Sequence, residues 1–143
     1  MSSLEMFMKK NKKIRANSFY PATTSITDEN GEPLLWEIRP VTTEESERIR
    51  GLCTHEIPVP GKKGLTREKV DVNEYLDKLT VAAIVFPDLM NAELQDSYGV
   101  KTPEELLKQM IDNPAEYADL QQFIQNQSGF DTSMDEAVEE AKN

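Results

Sequence analysis

The chain has 143 residues, enough for the core of one domain and too few for two full ones. Its formal charge of −10 speaks against nucleic acid as a partner, because phosphate contacts need a basic footprint. Only 38% of the residues are hydrophobic and no stretch approaches the roughly 20 apolar residues of a membrane span, so a soluble protein with a modest core is expected.

The first residues combine a short apolar stretch, Leu4, Met6, Phe7 and Met8, with the basic run Lys9, Lys10, Lys12, Lys13 and Arg15. That order is the reverse of a signal peptide. The lone Cys53 has no internal partner for a disulfide, which fits a reducing cytosol. Residues 1–16 are expected to be a flexible basic arm, whose apolar turn either docks or frays in solvent. Residues 17–128 are expected to form a single globular domain.

Within that domain, Asn30-Gly31 divides two segments rich in β-formers, predicting a β-hairpin over 17–39. Leu34, Trp36 and Ile38 alternate with Leu35, Glu37 and Arg39, so the face carrying the only tryptophan should lie on the helices. Pro21 and Pro33 limit the length of pairing. Thr42 and Glu45 have capping-box spacing, predicting a helix from about Thr43 to Thr54 with Ile49, Leu52 and Cys53 inward. His55 to Thr66, with two prolines and two glycines around Lys62-Lys63, reads as an exposed loop with little regular structure.

The most hydrophobic stretch follows the Asp71 and Glu74 cap pair and runs to Pro87. It predicts a central helix near residues 72–86, with a strand over Val81 to Phe86 as the competing reading. Asn91, Thr102-Pro103 and Asn113-Pro114 mark three further helix starts, and Gly99 and Gly129 suit helix ends. Leu106, Leu107, Met110, Leu120, Phe123 and Ile124 supply inward faces. Residues 129–143 read as an acidic C-terminal helix or tail. The expected fold class is therefore mainly α with a small N-terminal β-hairpin (α+β), a compact helical bundle around the central helix.

Reactive chemistry is hard to assemble from these residues. His55 beside Glu56 and near Cys53 falls short of a zinc ligand set, and reads as a loop-edge residue beside a buried helical cysteine. Gly61-Lys62-Lys63-Gly64 lacks the spacing and context of a phosphate loop. Neighbouring acids such as Glu44 and Glu45, or Glu104 and Glu105, do not face each other on a helix. No catalytic site, metal or cofactor is expected, and protein binding is the expected activity.

The order of segments carries a further signal. Leu35-Trp-Glu-Ile-Arg-Pro-Val-Thr-Thr-Glu-Glu-Ser-Glu47, Val59-Pro-Gly-Lys-Lys-Gly64, Tyr75-Leu-Asp-Lys-Leu79, Val85-Phe-Pro-Asp-Leu-Met-Asn-Ala-Glu-Leu-Gln-Asp-Ser-Tyr-Gly-Val100 and Gly129-Phe-Asp-Thr-Ser-Met-Asp-Glu136 together resemble the XkdN-like phage tail assembly chaperones. The resemblance implies a phage or prophage protein of the bacterial cytoplasm that binds the tape-measure protein, helps recruit tail-tube protein, and leaves before the virion is complete. The alternative is a structural tail or baseplate component that stays in the particle. Phe130, Met134 and Val138 are the expected partner contacts, since Met and aromatic residues on a marginal helix adapt to partners; the competing reading is that they close the core. The resemblance also implies a longer frameshifted product, and Ala141-Lys142-Asn143 is encodable as a slippery heptamer.

Overall fold

The computed structural model describes residues 3–130. Strand β1 (Ser18–Tyr20) pairs antiparallel with β2 (Trp36–Ile38) in the register Ser18↔Ile38, Phe19↔Glu37 and Tyr20↔Trp36. Between them the chain reverses at Asp28–Gly31, where Gly31 takes a left-handed φ of 83° and the Asp28 carboxylate accepts from the Asn30 and Glu32 N–H groups at 2.8 and 3.0 Å. The hairpin is thus present, but its paired stretches are short. Leu34 is a correction to the expected inward face: it precedes the strand, gives its N–H to the Ile26 carbonyl at 3.0 Å, and is 43% exposed.

Helix α1 (Thr43–Leu52) starts at the expected capping box, with Thr42 Oγ1 accepting from the Glu45 N–H. Ile49 and Cys53 are buried as expected, whereas Leu52 is exposed because helical spacing turns it away from the face that Ser46, Ile49 and Cys53 share. Residues 55–66 correct the loop reading. Strands β3 (Thr54–Pro58) and β4 (Thr66–Val70) form an antiparallel ribbon from Thr54↔Val70 to Pro58↔Thr66, and only the Val59–Leu65 turn is loop. Its faces are mostly polar and exposed, so the ribbon has no apolar alternation; backbone pairing and β-branched Thr54, Ile57, Thr66 and Val70 define it.

Helix α2 (Val72–Ala83) begins with Asp71 accepting from the Glu74 N–H at 3.1 Å. The predicted helix to residue 86 is too long. Ile84–Phe86 is strand β5, paired antiparallel with β2, and the Arg39 N–H continues the ladder by donating to the Ala83 carbonyl at 2.9 Å. One apolar run therefore serves as core helix first and sheet edge second, the β-branched Ile84 and Val85 favouring the extended part. Helices α3 (Ala92–Ser97), α4 (Pro103–Met110) and α5 (Pro114–Ser128) start at Asn91, Thr102 and Asn113, each side chain accepting a backbone N–H of the first turn.

The order β1-β2-β5 makes a three-stranded sheet whose inner face covers the helices. Trp36 and Ile38 from β2 meet Leu79, Ala83, Leu106, Leu107, Leu120 and Ile124 in one core, and α2 touches α1, α4 and α5. Tyr20 stacks on Phe123 with ring centroids 4.3 Å apart, so β1 is fastened to α5. The chain is α+β with α2 at its centre.

Polar contacts fix how the helices sit. The half-buried Asp77 of α2 accepts from the Tyr117 hydroxyl of α5 at 2.6 Å and pairs with Lys108 of α4 at 2.7 Å. Burial first, and this carboxylate second, push the Tyr117 phenol well above its ordinary range. Replacing Asp77 with alanine strands a partly buried hydroxyl and should cost about 1–3 kcal/mol in urea unfolding, with asparagine losing less because it still accepts.

Two carboxylates tie loops down and set the pH response. The Arg39 guanidinium grips both oxygens of Glu45 and, with help from the Thr42 backbone, holds its carboxyl down at about 2. Glu116 is also lowered, mainly by the Thr24 N–H and the Thr23 hydroxyl. A carboxyl lowered in the folded state stabilises fully above its ordinary 4.5 and loses that contribution as pH falls through its folded value. The urea midpoint should therefore hold between neutral pH and about 5.5 and then fall. Glu45→Gln should lower the neutral plateau and flatten the acid limb.

Candidate functional site

The sheet presents its second face to solvent. Strand alternation turns Tyr20, Trp36 and Ile38 inward, so Phe19, Leu35 and Glu37 point outward. On β5 the register slips beside Glu37 and Ile38: Ile84 pairs with inward Ile38, while Phe86 pairs with outward Glu37. The bulge therefore delivers a second aromatic ring to the outer face. The row Phe19, Glu37, Phe86 crosses all three strands, with Phe19 64%, Phe86 63% and neighbouring Leu35 56% exposed. Glu37 accepts from Asn17 Nδ2 at 2.8 Å, which holds the carboxylate between the rings.

Single exposed apolar residues are ordinary, but aromatics grouped on one rigid face mark a contact surface. Beta1 and β5 are also both edge strands among the described residues. Each is only three residues long, which limits strand addition and favours a side-chain contact.

The base of the basic arm is tied to the C-terminal end of α5. It forms two short 3-10 turns, Glu5–Phe7 and Lys9–Asn11, with Leu4, Met6, Phe7 and Met8 exposed. Arg15 anchors its base, donating to the Ser128 carbonyl at 2.9 Å and to the Val41 carbonyl at 3.1 Å. At the same corner Gly129 adopts a φ of 91° and the Phe130 N–H donates to Gln125 at 2.8 Å, closing α5 with a left-handed cap. Phe130 is partly exposed beside Arg15 and Val41. Met134 and Val138 lie outside the described residues, so the structure places one of the three expected contacts, at the base of the arm.

With this arrangement in view, residues 4–142 match the model of the phage XkdN-like tail assembly chaperone protein family. The chain belongs to the XkdN-like tail assembly chaperones. It is 26% identical over 124 residues to the phage-like element PBSX protein XkdN of Bacillus subtilis (strain 168), covering 86% of this chain and 82% of that relative. It is 25% identical over 123 residues to the uncharacterized protein YqbN of the same organism, covering 86% and 81%. The fold matches the crystal structure of the protein YqbN with a TM-score of 0.76 over 92% of this chain and 99% of that one, at 19% identity.

Two of the residues that first invite a catalytic reading, Cys53 and His55, both lie near the Glu74 carboxylate in this chaperone. Cys53 has no exposed surface, and burial followed by the nearby Glu74 carboxylate pushes its thiol up, which suppresses the nucleophilic thiolate. His55 stands on β3, not at a loop edge, and its Nε2 lies 3.0 Å from Glu74 Oε2. Gly61 and Gly64 take left-handed φ values of 76° and 83° in the turn of the ribbon, away from any helix N-terminus. No group of three or more His, Cys, Asp or Glu residues suited to a metal occurs among the described residues, and none of the described helices is long and apolar enough to cross a membrane.

Proposed function

We propose that this chain is a non-catalytic tail assembly chaperone that binds the tape-measure protein and helps recruit tail-tube subunits in the host cytoplasm, leaving before the virion is finished. The exposed aromatic face of Phe19, Leu35 and Phe86, on a chain of the tail assembly chaperone family, carries this reading. A long helical client offers apolar stripes, and a flat sheet face with two rings and a central carboxylate accepts such a stripe together with a flanking basic residue. Phe130, Met134 and Val138 are proposed as a second, adaptable contact. The charge of −10 keeps copies of the chaperone apart while their apolar faces are exposed.

Co-expression with the tape-measure and tail-tube proteins of the same phage tests the reading. The tape-measure protein should co-purify, deletion of the gene should abolish tails, and mass spectrometry of finished particles should lack the chain. Stoichiometric retention in the particle would identify a structural tail component instead, and failure to retain either tail protein would remove the chaperone mechanism proposed here.

A further inference from the structure

The basic arm is an anomaly on this acidic protein. Lys9, Lys10, Lys12, Lys13 and Arg15 gather five positive charges on a chain of net charge −10. Among the described residues, none of the four lysines is within ion-pair distance of a carboxylate. Arg15 spends its donors on two carbonyls, which leaves its charge unneutralised. Two adjoining concavities, of about 570 and 560 Å³, share Lys12 and Arg15 on their walls. Lys9, Lys13 and Arg39 line the first, and Glu47 is the one described carboxylate on either. Arg39 is already gripped by Glu45, so the unmet charge is that of the arm.

Phe130 and Gly129 form part of the second concavity, and the chain continues from there into residues 131–143. That segment carries Asp131, Asp135, Glu136, Glu139 and Glu140 against Lys142. Phe130, which precedes it, is two positions from the Ser128 whose carbonyl Arg15 holds. An extended segment of that length reaches about 45 Å and a helical one about 20 Å, so the shared concavities are within reach in either form. Tethering two oppositely charged segments at one corner gives each a high effective concentration for the other.

We infer that the basic arm and the concavities beside it are the docking surface for this chain's own acidic segment, residues 131–143. The occupant is intramolecular, held by charge pairs between Lys9, Lys10, Lys12 and Lys13 and the five acids. The inference does not rest on the identity of the client, and a client that takes up Met134 and Val138 would compete with the arm for this segment.

Zero-length carbodiimide cross-linking of the full chain tests it, using an equal mixture of isotope-labelled and unlabelled protein to separate links within one chain from links between two. Links between the arm lysines and Asp131, Asp135, Glu136, Glu139 or Glu140 are expected within single chains, falling several-fold in about 0.5 M salt. Reversing Lys9, Lys12 and Lys13 to glutamate should abolish them. Reversing Glu136, Glu139 and Glu140 to lysine in the same chain should restore them, and all these positions are on the arm or the segment, so the core is untouched. Absence of arm-to-segment links, links only between chains, or failure of the charge swap to restore them would overturn the inference.

Discussion

Trp36→Ala is expected to remove about 3–5 kcal/mol of stability, the cost of deleting a large buried aromatic from a packed core. Trp36 is only 2% exposed and stands on the middle strand of the sheet, against the α2, α4 and α5 side chains. Domains of this size are stable by about 5–15 kcal/mol, so the variant should be substantially unfolded at modest urea concentrations. Because the chain has a single tryptophan, its fluorescence disappears with it, and far-ultraviolet circular dichroism is the measurement to use. Trp36→Phe should recover part of the loss. A Trp36→Ala midpoint close to that of the native chain would mean that the sheet is not packed on the helices as described.

Phe19→Thr and Phe86→Thr are expected to separate stability from binding. Both rings are more than half exposed, and threonine keeps the strand preference, so unfolding should change by less than about 1 kcal/mol for each. If the outer sheet face holds the client, each ring acts as an anchor and its loss should weaken binding by about 2 kcal/mol, roughly 30-fold. Calorimetric titration with a tape-measure fragment reads the change, and Leu52→Thr, on an exposed residue outside the sheet, serves as the control. Native affinity in the double variant would move the contact elsewhere, with Phe130 the next residue to replace.

Much of the fold was legible because helix boundaries are chemical. Thr42, Asp71, Asn91, Thr102 and Asn113 are each small polar residues before a turn with an acid, and each caps a helix in the structure. The inward faces of α4 and α5 followed from helical spacing in the same way. The β3–β4 ribbon was not legible, since its strands are polar on both sides and a proline and two glycines break up the intervening residues. The change from helix to strand at Ile84 was hidden because an unbroken apolar run satisfies both periods, and only pairing with β2 decides between them.

The outer face was half visible. Opposite parity to Trp36 already placed Leu35 and Glu37 on the other side of the sheet, and Phe19 joins them once its partner is known to be Glu37. Phe86 was not inferable, because plain alternation from the partly buried Ile84 would turn it inward, and the slipped register reverses that. Family resemblance was readable from segment order, while the surface that would do the work depends on a single irregular pairing.

The two hydrogen bonds of Arg15 bring residues 113 positions apart in the chain to one corner of the molecule. Reporter groups attached beside Arg15 or beside Ser128 would therefore crowd the same spot and disturb whatever docks there. The glycine-flanked turn at Lys62-Lys63 protrudes from a different part of the fold, and is the better place to insert a label when assembly is to be watched in living cells.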